Sequence, residues 1–348
     1  MESSVVRNPL NGERARALLE DAQKGDLWYW KAIGLERAIE LAENRGKGVR
    51  IGIIDTGTNQ NHPELQGRYE GGRNLVEADS LEEVFDDDGH GTAVASVICG
   101  NNIGILSEAM YVSIRVANKD IRRAEEKDSQ AIATRFGIQL FVAISLCKRF
   151  HCDIINFSIG TWAHDESLEN VIREAYDAGI LLVGTAGNFY VGPFFPAAFG
   201  KPVISVGGIE KRIREKKGGY VRYEPTSIWP TLDILAPAEE IMAADNDMDG
   251  GYKIAEGTSF ATAIVTGVCG LAIGYLKEKG RKIDPEALQE QLYASTRKVE
   301  ADQGAVRKMM LAYDPTAPLF HNGQVMEQSM FGHGMLAADA FLERVRKS

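Results

Sequence analysis

The chain has 348 residues, 44% of them hydrophobic, enough apolar material to bury the core of one large α/β domain or of two ordinary ones. Its formal net charge of −10 argues against nucleic acid or an anionic membrane as the main partner. No uninterrupted apolar run reaches the roughly 18 residues of a membrane span, and the opening "MESSVVRNPLNGERARALLED" carries charges where a secretory signal has its apolar core, so a cytoplasmic location is expected.

In chain order, residues 1–27 read as a short N-terminal extension and 28–348 as one domain. A helix is predicted over 31–44, a strand over "VRIGIID" (49–55) and a helix over 91–99. The strand "MYVSIRVA" (110–117) and a helix over 129–149 follow, then the strand at 153–160 and a helix over 167–178. Strands at 179–187, 202–208 and 232–237 precede two further helices, 259–279 and 285–295. "ADNDMDGGYK" reads as a polar turn, and 299–330 as a surface insertion. Near-continuous apolar strands separated by helices imply an α/β fold, a doubly wound and mostly parallel sheet with helices on both faces. Cys99, Cys147, Cys152 and Cys269 lie in or beside apolar segments without the paired spacing of a zinc site. Buried, reduced thiols are expected, and Cys147 with Cys152 is the one pair close in sequence.

Functional side chains of such sheets gather where strands end at their carboxyl edge. Asp55 closes the first strand, "RIGIID"; taken alone it reads as a turn residue. His90 stands between Gly89 and Gly91 at the start of a helix of small residues, where the helix dipole disfavours the imidazolium and suits a neutral base. Ser259 sits where "AEGTSFATAIVTGVCG" turns into a helix, so its own N–H is one of the unpaired donors of the first turn. A carboxylate, an imidazole and a hydroxyl are together what acyl transfer requires: the imidazole takes the serine proton and the carboxylate holds the imidazole in the right tautomer.

With these three in the order Asp, His, Ser, the sequence resembles the subtilisin-like serine proteases, or subtilases. The resemblance runs from about Trp28 to the C-terminus and rests on "GKGVRIGIIDTG", "HPEL", "GHGTAVAS", "NFSIG", "GTAGN", "LDILAP", "GTSFATAIVTG" and "FGHGMLAADA". It implies a serine endopeptidase with a polypeptide substrate, Asp55 as orienting acid, His90 as general base and Ser259 as nucleophile. It further implies Asn188 as side-chain donor to the oxyanion, and Ser158, Ile159, Gly160, Ala186 and Gly187 as the backbone that receives the substrate. The sequence departs from the family at Phe260, where Met is usual, and at Ala263, Ile264 and Val265, where Pro-His-Val is usual; altered packing with retained chemistry is expected.

The short connection after His90 resembles members without the extended calcium loop, so no cofactor and no strong calcium site is expected there; "DNDMDG" is the alternative place for one. The brief extension compares best with intracellular members. Phe189, Tyr190, Phe194 and Phe195 read equally as narrowing the specificity pocket or as core aromatics. Asp86, Asp87 and Asp88 read as a solvated turn, with an attraction for basic substrates as the second possibility. The competing functions are a processing enzyme with a single precursor peptide and an inactive peptide-binding relative. Oligomeric state is not legible.

Overall fold

Side chains of the central strands alternate between two apolar layers, Ile51 and Ile53 entering one and Ile54 the other, as the period of two along a strand demands. The structure, a computed structural model, describes residues 8–9, 17, 20–21, 27–76, 80–119, 129–211, 219–246, 250–299, 320–321, 324–325 and 327–348. Most of the predicted extension 1–27 and of the predicted insertion 299–330 therefore lies outside the described residues.

The strands are β1 (Asn8–Pro9), β2 (Arg50–Asp55), β3 (Tyr69–Asn74), β4 (Met110–Arg115), β5 (Ile154–Phe157) and β6 (Leu181–Thr185). They continue with β7 (Val203–Lys211), β8 (Tyr220–Arg222), β9 (Ile234–Pro237), β10 (Ile241–Ala244), β11 (Tyr252–Ala255), β12 (Phe320–His321) and β13 (Gln324–Val325). The helices are α1 (Trp28–Ile33), α2 (Leu35–Ala42), α3 (His90–Cys99), α4 (Ser129–Arg149), α5 (Glu166–Asp177), α6 (Thr258–Glu278), α7 (Pro285–Tyr293), α8 (Glu327–Phe331) and α9 (Ala338–Lys347).

The main sheet runs β3-β4-β2-β5-β6-β7, all parallel; β7 also pairs with β9 in parallel and with β8 antiparallel. Helices α3 and α6 contribute to the core on one face, with Val94, Ile98, Ile264 and Val268 packed on Ile51, Ile154 and Val183. Helices α4 and α5 cover the other face, where Leu140, Ile144, Leu168 and Ile172 meet Ile155, Phe157 and Leu182. This is the predicted doubly wound fold.

Three differences from expectation have physical causes, while the polar turn is found where expected. The helix predicted over 31–44 is two helices, because Gly34 has φ 69° and turns the chain between them. Strand β3, "YEGGRN", has no apolar run because it is the sheet's edge and only partly buried. The polar turn at 244–253 joins β10 to β11 in an antiparallel hairpin, with residues 247–249 outside the described set. Helix α6, with 21 residues, is long and apolar enough to span a membrane, contrary to expectation; it is buried from Thr258 to Leu276, because Gly267 and Gly270 let it press against Ile105 and Leu106. All four cysteines are free and buried, and the Cys152 N–H donates to the Cys147 carbonyl at 3.0 Å.

Candidate active site

Parallel strands deliver their carboxyl ends to one edge of the sheet, and Asp55 is the last residue of β2 there, 1% exposed. Helix α3 starts at His90 beside it. The approach depends on Gly91: a β-carbon at that position would collide with the Gly57 carbonyl oxygen and come within 3.1 Å of Asp55 Cβ. His90 Nδ1 consequently donates to Asp55 Oδ1 at 2.7 Å, out of solvent. Since the carboxylate accepts, Nδ1 carries the proton and Nε2 of the neutral ring keeps its lone pair.

The entry of this helix is held by Asp86, a residue whose sequence context suggests a solvated turn. Asp86 is completely buried, and its two oxygens accept from the backbone of Asp88 (3.1 Å), Gly89 (2.8 Å) and Thr92 (2.8 Å) and from the hydroxyls of Thr56 (2.8 Å) and Thr92 (2.7 Å). The expectation fails because the first turn of α3 lies against β2 and away from water, so its unpaired donors need a buried acceptor. Asp87 instead pairs with Arg115 at 3.1 Å. Asp86→Ala should lower stability by about 3 kcal/mol and lower kcat more than it raises KM, read from urea midpoints and steady-state kinetics. A variant with both unchanged would restore the solvated-turn reading.

Ser259 is the second residue of α6. The preceding Gly257 has φ 124°, a conformation that side-chain-bearing residues rarely adopt, and its N–H donates to the Ala238 carbonyl at 2.7 Å. The helix mouth is then tied to the continuations of two strands. Beyond β5, Ser158 and Ser259 exchange hydrogen bonds: Ser259 Oγ donates to the Ser158 carbonyl (3.0 Å) and Ser158 Oγ to the Ser259 carbonyl (2.9 Å). Beyond β6, Asn188 Oδ1 accepts from both the N–H and the hydroxyl of Thr258, each at 2.9 Å. Fixing Oδ1 in this way turns Nδ2 toward Gly257, and Nδ2 donates to none of the described residues.

The folded chain thus gathers Asp55, His90, Ser259, Asn188 and Ser158 from five separate stretches of sequence. Asp55 and His90 are in direct contact. Ser259 is not hydrogen-bonded to His90, its hydroxyl being directed at Ser158, although the Phe260 ring next to it lies 6.0 Å from the imidazole between centroids. No backbone hydrogen bond from the described residues reaches Ile159 or Gly160; pairing resumes at Thr161, which bridges to Phe195. Ala186 is tied to β7 through the Val206 carbonyl (2.9 Å), and the Gly187 carbonyl accepts from Ser227 N–H (2.8 Å). Glu256, Glu239 and Glu210, on the segments flanking this mouth, have carboxyls raised above the usual range by burial. For Glu210 burial is reinforced by the charge of Glu239, and the carboxyl is pushed up to about 7.

Such a constellation can carry acyl transfer: a hydroxyl, an oriented base and donors for a developing oxyanion. On a doubly wound sheet, with the residues in the chain order Asp, His, Ser, it defines a class of serine hydrolases. The sequence profile of the subtilase family, peptidase S8, matches residues 46–334, and the chain belongs to this family of serine peptidases. It is 30% identical over 281 residues to an intracellular serine protease of Paenibacillus polymyxa, covering 77% of this chain and 78% of that protein. It is 28% identical over 284 residues to a subtilase-type proteinase of Saccharomyces cerevisiae, where the match takes in 80% of this chain and about half, 52%, of the yeast protein's length. The solved structure of a prenylagaramide maturation protease superimposes with a TM-score of 0.65 at 23% identity, over 90% of this chain and 98% of that one, a likeness of fold.

Proposed function

We propose that the chain is an endopeptidase that cleaves polypeptides through an acyl-enzyme on Ser259. The observation that carries this reading is the buried 2.7 Å hydrogen bond from His90 Nδ1 to Asp55, on the sheet edge where the helix mouth presents Ser259. Attack needs the Ser259 hydroxyl to leave the Ser158 carbonyl and turn to His90 Nε2, a rotation between staggered wells of χ1. An extended substrate paired with the free backbone of Ile159 and Gly160 would supply the occasion, by β-augmentation. His90 then takes the hydroxyl proton as Oγ adds to the scissile carbonyl, and Asp55 stabilises the imidazolium. The oxyanion meets the Ser259 N–H and Asn188 Nδ2. His90 next returns the proton to the leaving amine, and a water molecule repeats the sequence to free the acid.

The test is a fluorophosphonate probe with mass-spectrometric mapping, together with hydrolysis of an unfolded protein. Labelling confined to Ser259 with concurrent proteolysis supports the reading. An unlabelled, folded chain that binds peptide without cleaving it would instead establish the inactive relative.

Action inside the cell is part of the same proposal, supported by the similarity to the intracellular protease of Paenibacillus polymyxa. So is independence of calcium. Where the chain returns from α3, the Glu64 carboxylate already closes the connection, accepting from the N–H of Asn102 (2.9 Å) and Ile103 (3.2 Å), from Asn102 Nδ2 (2.9 Å) and from the Tyr252 hydroxyl (2.6 Å). With protein donors on both oxygens, this loop is held without a cation. Chelator should therefore move the melting temperature by less than about 3 °C, whereas loss of a strong structural site would remove several kcal/mol.

A further inference from the structure

The parallel ladder between β5 and β6 ends at the pair Phe157–Gly184. Past it, Ser259 bonds to Ser158 on one continuation and its neighbour Thr258 to Asn188 on the other. An acyl group on Ser259 Oγ with its oxygen toward Asn188 Nδ2 carries its side chain on the atom adjoining the carbonyl carbon. That side chain is directed between the two continuations. Whatever fills this space decides what enters.

Three aromatic rings stand there. Phe194 belongs to a segment clamped to the first continuation, since Thr161 and Phe195 exchange backbone hydrogen bonds of 2.8 Å each way. Its ring rests on Gly160: a β-carbon there would lie 2.6 Å from Cε1 and 3.0 Å from Cδ1. The Phe189 ring rests on Gly187 of the second continuation, 3.0 Å from the position a β-carbon would take. The two rings meet with centroids 5.4 Å apart, and Trp162 closes over both edge-on at 4.2 Å and 5.2 Å.

We propose that Phe194, backed by Phe189 and Trp162, fills the pocket for the residue on the acyl side of the cleaved bond, so that the enzyme selects glycine and alanine there. This rests on the endopeptidase reading above. Both rings are anchored on backbone, one on each wall, and an incoming leucine, phenylalanine or lysine would have to displace them. A methyl group or a hydrogen would not.

The experiment uses the full chain and a series of quenched fluorescent peptides identical except for Gly, Ala, Leu, Phe or Lys at that position. Expected is a kcat/KM for Ala about 100-fold above that for Phe, the discrimination that steric exclusion from a pocket supplies. Phe194→Ala should shift the Phe-to-Ala ratio toward Phe by about 30-fold, and Phe194→Leu should shift it the same way by less. Folded fraction is checked by thermal melting; if neither variant folds, the wild-type series alone decides. Wild-type cleavage after Phe or Leu as fast as after Ala overturns the proposal, as does an unchanged ratio in a folded variant. Alanyl and phenylalanyl diphenyl phosphonates separate the two levels of failure: labelling of Ser259 that favours the phenylalanyl probe sinks the pocket assignment only. No labelling by either, with no peptide cleaved, sinks the peptidase reading and this proposal with it.

Discussion

Ser259→Ala is expected to abolish peptide hydrolysis and leave the fold in place. The substitution removes one hydroxyl from the second residue of α6. The hydrogen bond lost is the 3.0 Å contact to the Ser158 carbonyl. Its net contribution to stability is about 1 kcal/mol, and the reciprocal bond from Ser158 Oγ to the Ser259 carbonyl uses backbone that the variant keeps. The chemical consequence is far larger, because without Oγ there is no acyl-enzyme and His90 has no proton to take. The loss in kcat should be about 10⁶-fold, the magnitude that subtilisin itself shows when its nucleophile is removed. Kinetics on a purified variant, with a mock purification of the same host to set the background, check it. Residual turnover within about tenfold of wild type would mean that another residue is the nucleophile.

Asn188 supports the second large effect. Its Oδ1 holds the N–H and hydroxyl of Thr258, and in the proposed mechanism Nδ2 serves the oxyanion. Asn188→Leu removes both. It should lower kcat by about 10²–10³, again the magnitude subtilisin shows for this donor, and also lower stability, because the buried Thr258 loses its acceptor. Asn188→Asp keeps an acceptor for Thr258 while presenting no amide to the cleft, so kcat should fall by at least as much with the melting temperature nearly unchanged. KM should move little in either variant, since the donor is aimed at charge that develops only in the transition state. If Asn188→Asp kept kcat within about threefold of wild type, under 1 kcal/mol of barrier, Asn188 would be a clamp for the nucleophile turn and nothing more.

Much of the fold and of the candidate site was legible in the order of residues. Buried parallel strands must be apolar on both faces, so "RIGII", "DIIN" and "ILLV" announce themselves. The three catalytic candidates each sit in a short pattern whose spacing is set by a strand end or a helix mouth, and those constraints are local. Even the small residues of α6 could be read as a helix that packs closely.

What stayed hidden depends on contacts between distant stretches. Asp86 looks like part of a charged turn until the entry of α3 and the Thr56 hydroxyl are seen to bring five donors to it. Phe194 and Phe189 could equally be core or pocket, because only the divergence of β5 from β6 decides what space they occupy, and residues about 30 positions apart must meet for that. The hydrogen bond that draws Ser259 Oγ toward Ser158 spans 101 positions. The sequence by itself determined the central strands of the sheet, their covering helices and which side chains arrive at the carboxyl edge, since these follow from periodicity and caps along a few residues. Tertiary structure alone decided which of those side chains touch, where the buried acid goes and which rings pack between the continuations of β5 and β6, because each is settled by the close packing of segments that the chain keeps far apart.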